Sequence, residues 1–170
     1  MSIQLDSKQF NLLIRHAEKT YPEECCGIIL GTITHDTTRT LTSDRKLVLD
    51  IMPVQNIWNE ELAKDLPQIV DIPSRSSQKE RNFFIAPEDI LHAQKEARNR
   101  KAIVLGFYHS HPDAPAIPSE FDRAIAWPDY SYLIISLTEE QFTDVKSWQL
   151  DRERKFQSEN IEIVESKENT

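Results

Sequence analysis

Hydrophobic positions along the chain fall into two periods, and their succession predicts an α/β fold. From Ser7 to Thr20, Phe10, Leu13, Ile14 and Ala17 recur at helical spacing, which predicts a helix with one buried face. Ser7 is its expected N-cap, and His16, off the stripe, is expected in solvent. Tyr21-Pro22 ends the helix. Glu23 to Gly31 then reads as a buried strand entered through two acids, and two of the chain's three glycines lie in it. Glycines so sparingly used mark places where the backbone turns or something packs closely against it. Thr32 to Asp44 is polar and predicts a hairpin loop, and Leu47–Val54 predicts the next strand.

Beyond Gln55 the pattern weakens. Trp58–Leu66 predicts a short helix and Pro73–Arg81 a polar loop. Asn82–Ala86 reads as a strand. Pro87-Glu88-Asp89 opens a second helix with stripe Ile90, Ala93, Ala97 and a basic C-terminal end. Ala102–Leu105 is an apolar, β-branched run that predicts a buried strand. A proline-rich bend leads to a third helix from Ser119 to about Trp127. Tyr130–Leu137, Val145–Leu150 and Ile161–Val164 predict three more strands, with a frayed end beyond. The order α-β-β-(insert)-β-α-β-α-β-β-β predicts a single-domain mixed β-sheet flanked by helices, of the α/β class.

Composition narrows the function. With 20 basic and 28 acidic residues in 170, the formal net charge of -8 argues against a binder that neutralises phosphates. No apolar run approaches the about 20 residues needed to cross a bilayer, and the N-terminus lacks the regions of a signal peptide. Cys25 and Cys26 are adjacent, which disfavours a structural disulfide between them and lacks zinc-finger spacing. A cytoplasmic, reducing compartment is the expectation.

The candidate chemistry lies where the strand 102–105 runs on into Gly106-Phe107-Tyr108-His109-Ser110-His111. Successive side chains on a strand alternate faces, so His109 and His111 point one way and Ser110 the other. Two imidazoles on one face form half of a tetrahedral zinc site, and Asp122, eleven residues after His111, offers a third ligand. Three protein ligands leave a position open, the layout of a catalytic metal. Isolated, such a histidine pair is an ordinary strand feature. Ser119-x-x-Asp122 after Pro118 is equally a helix-start signal, the serine as N-cap and the acid at N3. The two readings of that motif are compatible, because a capped first turn fixes the aspartate. Glu23 and Glu24 are not separable by residue type alone. His35 and His92 read as surface residues, and Cys26 as a small core residue. His-Glu-x-x-His, the deaminase Pro-Cys-x-x-Cys and Gly-rich phosphate loops do not occur.

His109-Ser110-His111, seven residues, Ser119, two residues, Asp122 resembles the signature of the JAMM (MPN-plus) zinc metallopeptidases. Pro22-Glu23-Glu24-Cys25-Cys26-Gly27 is similar to the family's Pro-x-Glu-x-Cys-Gly segment, in which Glu24 is the matching acid. Further agreement comes from Asn56, Phe84–Pro87 and Tyr130–Leu137. The resemblance implies the JAMM/MPN, cytidine-deaminase-like architecture and one Zn2+ per chain held by His109, His111 and Asp122. It implies Glu24 as general base and acid, and Ser119 as the hydroxyl that holds the oxyanion or water. Compact prokaryotic members are the most similar. They imply a peptidase or isopeptidase acting at the C-terminal tail of a ubiquitin-like or small sulfur-carrier protein, including release of cysteine from a carrier. The alternative within the family is a non-catalytic MPN scaffold, though such scaffolds lose motif positions that are all filled here. Residues 58–81 fit the family pattern poorly and read as a variable insertion governing substrate choice. Its Trp58, Leu62 and Leu66 either border the groove or pack down on the domain.

Overall fold

The computed structural model describes residues 1–35, 44–70 and 75–166. The described elements run β1 (Ser2–Asp6), α1 (Ser7–Thr20), β2 (Cys26–His35), β3 (Asp44–Val54), α2 (Glu60–Val70) and a 3-10 turn (Lys79–Arg81). They continue with α3 (Pro87–Asn99), β4 (Ile103–Pro112), α4 (Glu120–Ile125), β5 (Ser131–Thr138), β6 (Gln141–Leu150) and β7 (Phe156–Val164). The expected mixed sheet is present, with strand order β1-β3-β2-β4-β5-β6-β7, and it goes further than expected. Strand β1, absent from the sequence reading, pairs in parallel with both β3 and β7 and closes the sheet into a barrel. The β4–β5 pair is also parallel, and the remaining pairs are antiparallel.

Two apolar clusters divide the strand faces between them. On one face Leu5, Ile29, Leu105, Tyr108 and Leu133 pack with Leu13 and Ala17 of α1. On the other, Ile28, Leu30, Phe83 and Ile85 pack with Ala93 and Ala97 of α3. The small alanines on that helix stripe let α3 lie close against β2 and β4. Close approach also explains Gly27, where a Cβ would meet the Tyr108 ring at 2.2 Å. At Gly106 a Cβ would meet the Ser131 carbonyl oxygen at 1.9 Å, so glycine allows β4 to lie against β5.

Several expectations need correction. Asp6, not Ser7, caps α1: its Oδ1 accepts from Gln9 N at 2.8 Å, and Gln9 Oε1 accepts from Asp6 N at 2.9 Å. His16 is half-buried, its Nδ1 2.9 Å from the Tyr108 hydroxyl. Strand β2 continues to His35 instead of ending at Gly31, and the rest of the expected hairpin loop, 36–43, lies outside the described residues. Asn82–Ala86 is extended but joins no strand. A closed barrel has no edge to offer it, so Phe83 and Ile85 pack onto the outer face instead. The short helix expected at 58–66 is α2, Glu60–Val70, and Trp58, Ala63 and Leu66 are buried against Phe121. Of the stripe Trp58, Leu62 and Leu66, the first and last are buried and Leu62 is partly buried against them, so it packs onto the fold. The loop expected at 73–81 contains the 3-10 turn, and 73–74 fall outside the described residues, as do 167–170 at the expected frayed end. Both cysteines are free and buried.

Candidate metal centre

Strand β4 runs through the histidines as far as Pro112, so its alternation carries to the end. Phe107, His109 and His111 share the outer face, and Ser110 turns inward, where its hydroxyl accepts from Cys25 N at 2.8 Å. Register sets Cys26 opposite His109, which brings the residue two places earlier, Glu24, to the same end of the sheet. The third component enters on α4. Ser119 caps this helix: its Oγ accepts from Asp122 N at 3.1 Å, and its own backbone N donates to Asp122 Oδ2 at 2.6 Å. Helix-start chemistry thus fixes the direction of the Asp122 carboxylate.

The three candidate ligands converge. His109 Nε2 lies 3.0 Å from His111 Nε2 and 3.3 Å from Asp122 Oδ1, and His111 Nε2 lies 3.6 Å from Asp122 Oδ2. Ligand atoms around a tetrahedral ion at bond lengths of 2.0–2.1 Å stand about 3.3 Å apart, so the spacing fits such an ion. Tautomer chemistry agrees. His111 Nδ1 is 2.9 Å from the Pro115 carbonyl oxygen, which only accepts, so Nδ1 carries the proton and Nε2 presents a lone pair to the cluster. Phe83 stacks on the His109 ring at 4.3 Å between centroids and 19° between planes, fixing its orientation. All three ligands are buried and could together hold a metal ion. Two imidazoles and a carboxylate are a borderline-hard set without thiolate, suited to a Lewis-acidic ion.

The electrostatics follow from burial and proximity. Burial lowers the His109 pKa, with Asp122 opposing it. Burial pushes His111 the same way, but its hydrogen bond to Asp122 and that carboxylate's charge outweigh it and leave it raised. For Asp122 burial favours the neutral form, yet the charge of His109 and hydrogen bonds from both histidines hold its carboxyl well below the usual range. Burial raises Glu24 to about 8, against the pull of His111.

Glu24 is also separated from its neighbour by geometry: it is 6% exposed beside the cluster, whereas Glu23 is open to solvent. Its backbone is held from both sides. Glu24 N donates to the Lys79 carbonyl at 2.8 Å, and its own carbonyl accepts from Asn56 Nδ2 at 3.0 Å. The same Asn56 amide group donates to Asn82 O at 2.9 Å, and its Oδ1 accepts from Trp58 N and Phe84 N. Ser119 lies where it was expected, but its hydroxyl points at the aspartate, donating to Oδ2 at 2.7 Å. Phe83, Asn82 and the Pro115 carbonyl were not singled out from the sequence, and a backbone carbonyl leaves no signal there.

The family model for prokaryotic homologues of the JAB domain matches residues 6–151, and the chain belongs to that family, as the JAMM motif implied. The chain is 29% identical over 116 residues to the desampylase of Haloferax volcanii, a match covering 68% of this chain and 63% of that protein. It is 30% identical over 129 residues to the human Lys-63-specific deubiquitinase BRCC36, covering 71% of this chain and 40% of that one. These matches therefore span less than two thirds of either relative. A solution structure of a protein from Desulfitobacterium hafniense superposes with a TM-score of 0.72 at 28% identity, covering 96% of this chain and 94% of that one.

Proposed function

We propose that the chain is a zinc-dependent isopeptidase or peptidase that hydrolyses an amide bond at the C-terminal tail of a ubiquitin-like protein. The observation that carries this reading is the convergence of His109, His111 and Asp122, with Glu24 buried beside them. The desampylase and deubiquitinase relatives support it by the activities in their names. Zinc, when bound, supplies Lewis acidity and lowers the pKa of water toward neutrality.

The protein's own residues do the rest. Glu24 takes the proton of the attacking water and delivers it to the leaving amine, a task for which a carboxyl lifted toward neutral pH is suited. Ser119, if it turns its hydroxyl proton from Asp122 Oδ2, donates to the developing oxyanion. The Pro115 carbonyl holds His111 in the tautomer that ligation through Nε2 needs, and the Phe83 ring holds His109 in orientation.

Within this class we favour a small sulfur-carrier protein as substrate, with cysteine or another amine released from its tail. The test is to incubate zinc-loaded protein with candidate carriers bearing a C-terminal extension and to follow the released fragment by mass spectrometry. Cleavage that chelation abolishes and Glu24→Gln prevents supports the reading. A folded protein that binds no zinc and cleaves none of them would make it an MPN scaffold instead.

A further inference from the structure

Directly against the candidate metal site lies a cavity of about 130 Å³, with His109 and Asp122 in its wall. Its other lining is mainly hydrocarbon. Phe83 and Ile85, 7% and 8% exposed, form its inner surface, Ile90 and Phe107 contribute further apolar lining, and Trp127, 56% exposed, forms the outer rim. Glu24 and His111 take no part in it, so it opens on the His109–Asp122 side of the cluster.

The size selects the kind of occupant. Pockets that hold a whole small molecule are typically about 300 Å³ or more. An apolar cavity of about 150 Å³ accommodates one benzene ring. The chemistry selects further. Tyr132 spends its hydroxyl on the Trp127 backbone, donating to its carbonyl at 3.0 Å and accepting from its backbone N–H at 2.7 Å, and the Trp127 indole N–H stands on the exposed rim. His109 and Asp122 are engaged with one another. A charged or amide side chain placed against the inner wall would find no free partner there and would lose its hydration. Glycine would leave the space empty.

We propose that this pocket takes one apolar side chain, of leucine or phenylalanine size, from the substrate residue that flanks the scissile amide. The proposal rests on the isopeptidase reading of the adjoining cluster and adds to it a substrate class: leaving groups that present a leucine- or phenylalanine-sized residue at the cleaved bond, in place of free cysteine. Because Phe83 both lines the pocket and stacks on His109, the occupant lies against the ring that orients a candidate ligand.

The test uses the three indole N–H groups as reporters in 15N-labelled, metal-free protein. Trp127 lines the pocket, while the indoles of Trp58 and Trp148 are bonded to the carbonyls of Ser76 and Ala116. Titration with N-acetyl-leucinamide or N-acetyl-phenylalaninamide is expected to shift the Trp127 indole resonance saturably and leave the other two in place. N-acetyl-glycinamide and the aspartate analogue are expected to shift none. Ile90→Phe, which fills the pocket from a half-exposed helix position, is expected to abolish the response.

In the zinc-loaded enzyme, peptides with Leu or Phe beside the cleaved bond should exceed their Gly and Asp counterparts about ten- to a hundredfold in kcat/KM. No saturable Trp127 shift with the apolar amides, or equal shifts with the aspartate analogue, overturns the pocket assignment even if cleavage is seen. Equal kcat/KM across the peptide series overturns the substrate class. A selective shift without cleavage of any peptide or extended carrier protein leaves the apolar pocket standing and removes the isopeptidase reading beneath it.

Discussion

The hydroxyl of Ser110 accepts a hydrogen bond from the backbone N–H of Cys25 at 2.8 Å, and Ser110 N donates to the Cys25 carbonyl at 3.1 Å. The residue between the two histidines is thereby tied to the residue that follows Glu24. The inward face of β4 positions Glu24, and the outward face presents the candidate ligands His109 and His111. Ser110→Ala leaves the buried Cys25 N–H without this partner, an expected cost of about 1–3 kcal/mol. Zinc content should stay near normal while kcat falls, because the ligands are untouched and Glu24 is loosened. Urea denaturation, metal analysis and turnover on one preparation check all three.

The ligands and the acid should separate cleanly. His109→Ala and Asp122→Ala each remove one of three donors and are expected to lose most bound zinc. Glu24→Gln removes a proton acceptor and no donor, so it should keep zinc and fold while losing turnover by several orders of magnitude. Metal content of the three purified variants decides the assignment. Full zinc in both ligand variants would overturn it.

Ser119 has two jobs that a pair of variants distinguishes. It caps α4 and holds Asp122 Oδ2. Ser119→Ala is expected to cost about 1 kcal/mol of stability and about ten- to a hundredfold in zinc affinity. Ser119→Thr, which keeps a hydroxyl, should recover most of both. If Ser119→Ala instead leaves zinc affinity unchanged and lowers only kcat, the hydroxyl serves the reacting atoms and its hold on Asp122 is incidental.

Much of this arrangement was legible in the residues. The alternation along His109-Ser110-His111 survives because β4 continues through it, and Ser119-x-x-Asp122 is at once a helix cap and a way of aiming a carboxylate. The choice of Glu24 over Glu23 was not legible from residue type, since it depends on which acid the β2–β4 register brings beside the cluster. Barrel closure was also hidden. Strand β1 is five residues long and offers only Ile3 and Leu5 as buried positions, too few to distinguish it from a helix leader. Lys46 shows a further limit of pattern reading. It is 1% exposed, with Nζ donating to Ser131 Oγ at 2.7 Å and standing 3.5 Å from Glu159 Oε1, a partner 113 positions away in sequence. Closing the strands into a barrel is what brings such distant polar groups together, and no local period reports it.

The raised pKa of Glu24 makes a prediction for the metal-free protein. Its carboxyl moves from an ordinary 4.5 to about 8 on folding, mainly through burial. Between those values the folded state holds a proton that the unfolded state has lost, so stability falls as pH rises. The expected loss is on the order of a few kcal/mol from pH 5 to pH 8. Glu24→Gln does not titrate and should lack this component. Parallel denaturation of both chelated proteins at the two pH values checks it, and identical pH slopes would contradict it.

Trp58 reaches the site through a chain of rings. Trp58 is 1% exposed, its indole N–H donates to Ser76 O at 2.9 Å, and its ring meets Phe121 edge-on at 5.4 Å. Phe121 lies beside Asp122 in α4 and meets Phe83 edge-on at 6.4 Å, and Phe83 stacks on His109. The Lys79 carbonyl, in the 3-10 turn, accepts the Glu24 N–H. A segment buried and bonded in this way supports the ligands as well as any substrate. Trp58→Ala is therefore expected to cost about 3–5 kcal/mol, as large-to-small changes in a core do, and to weaken zinc binding. Trp58→Phe keeps a ring against Phe121 and loses only the indole hydrogen bond, so it should melt modestly lower with zinc affinity close to normal. Thermal melts with and without zinc, beside zinc titrations, measure both effects. Trp58→Ala protein with unchanged stability and zinc affinity, but a raised KM for protein substrates alone, would return the insertion to a role in substrate choice only.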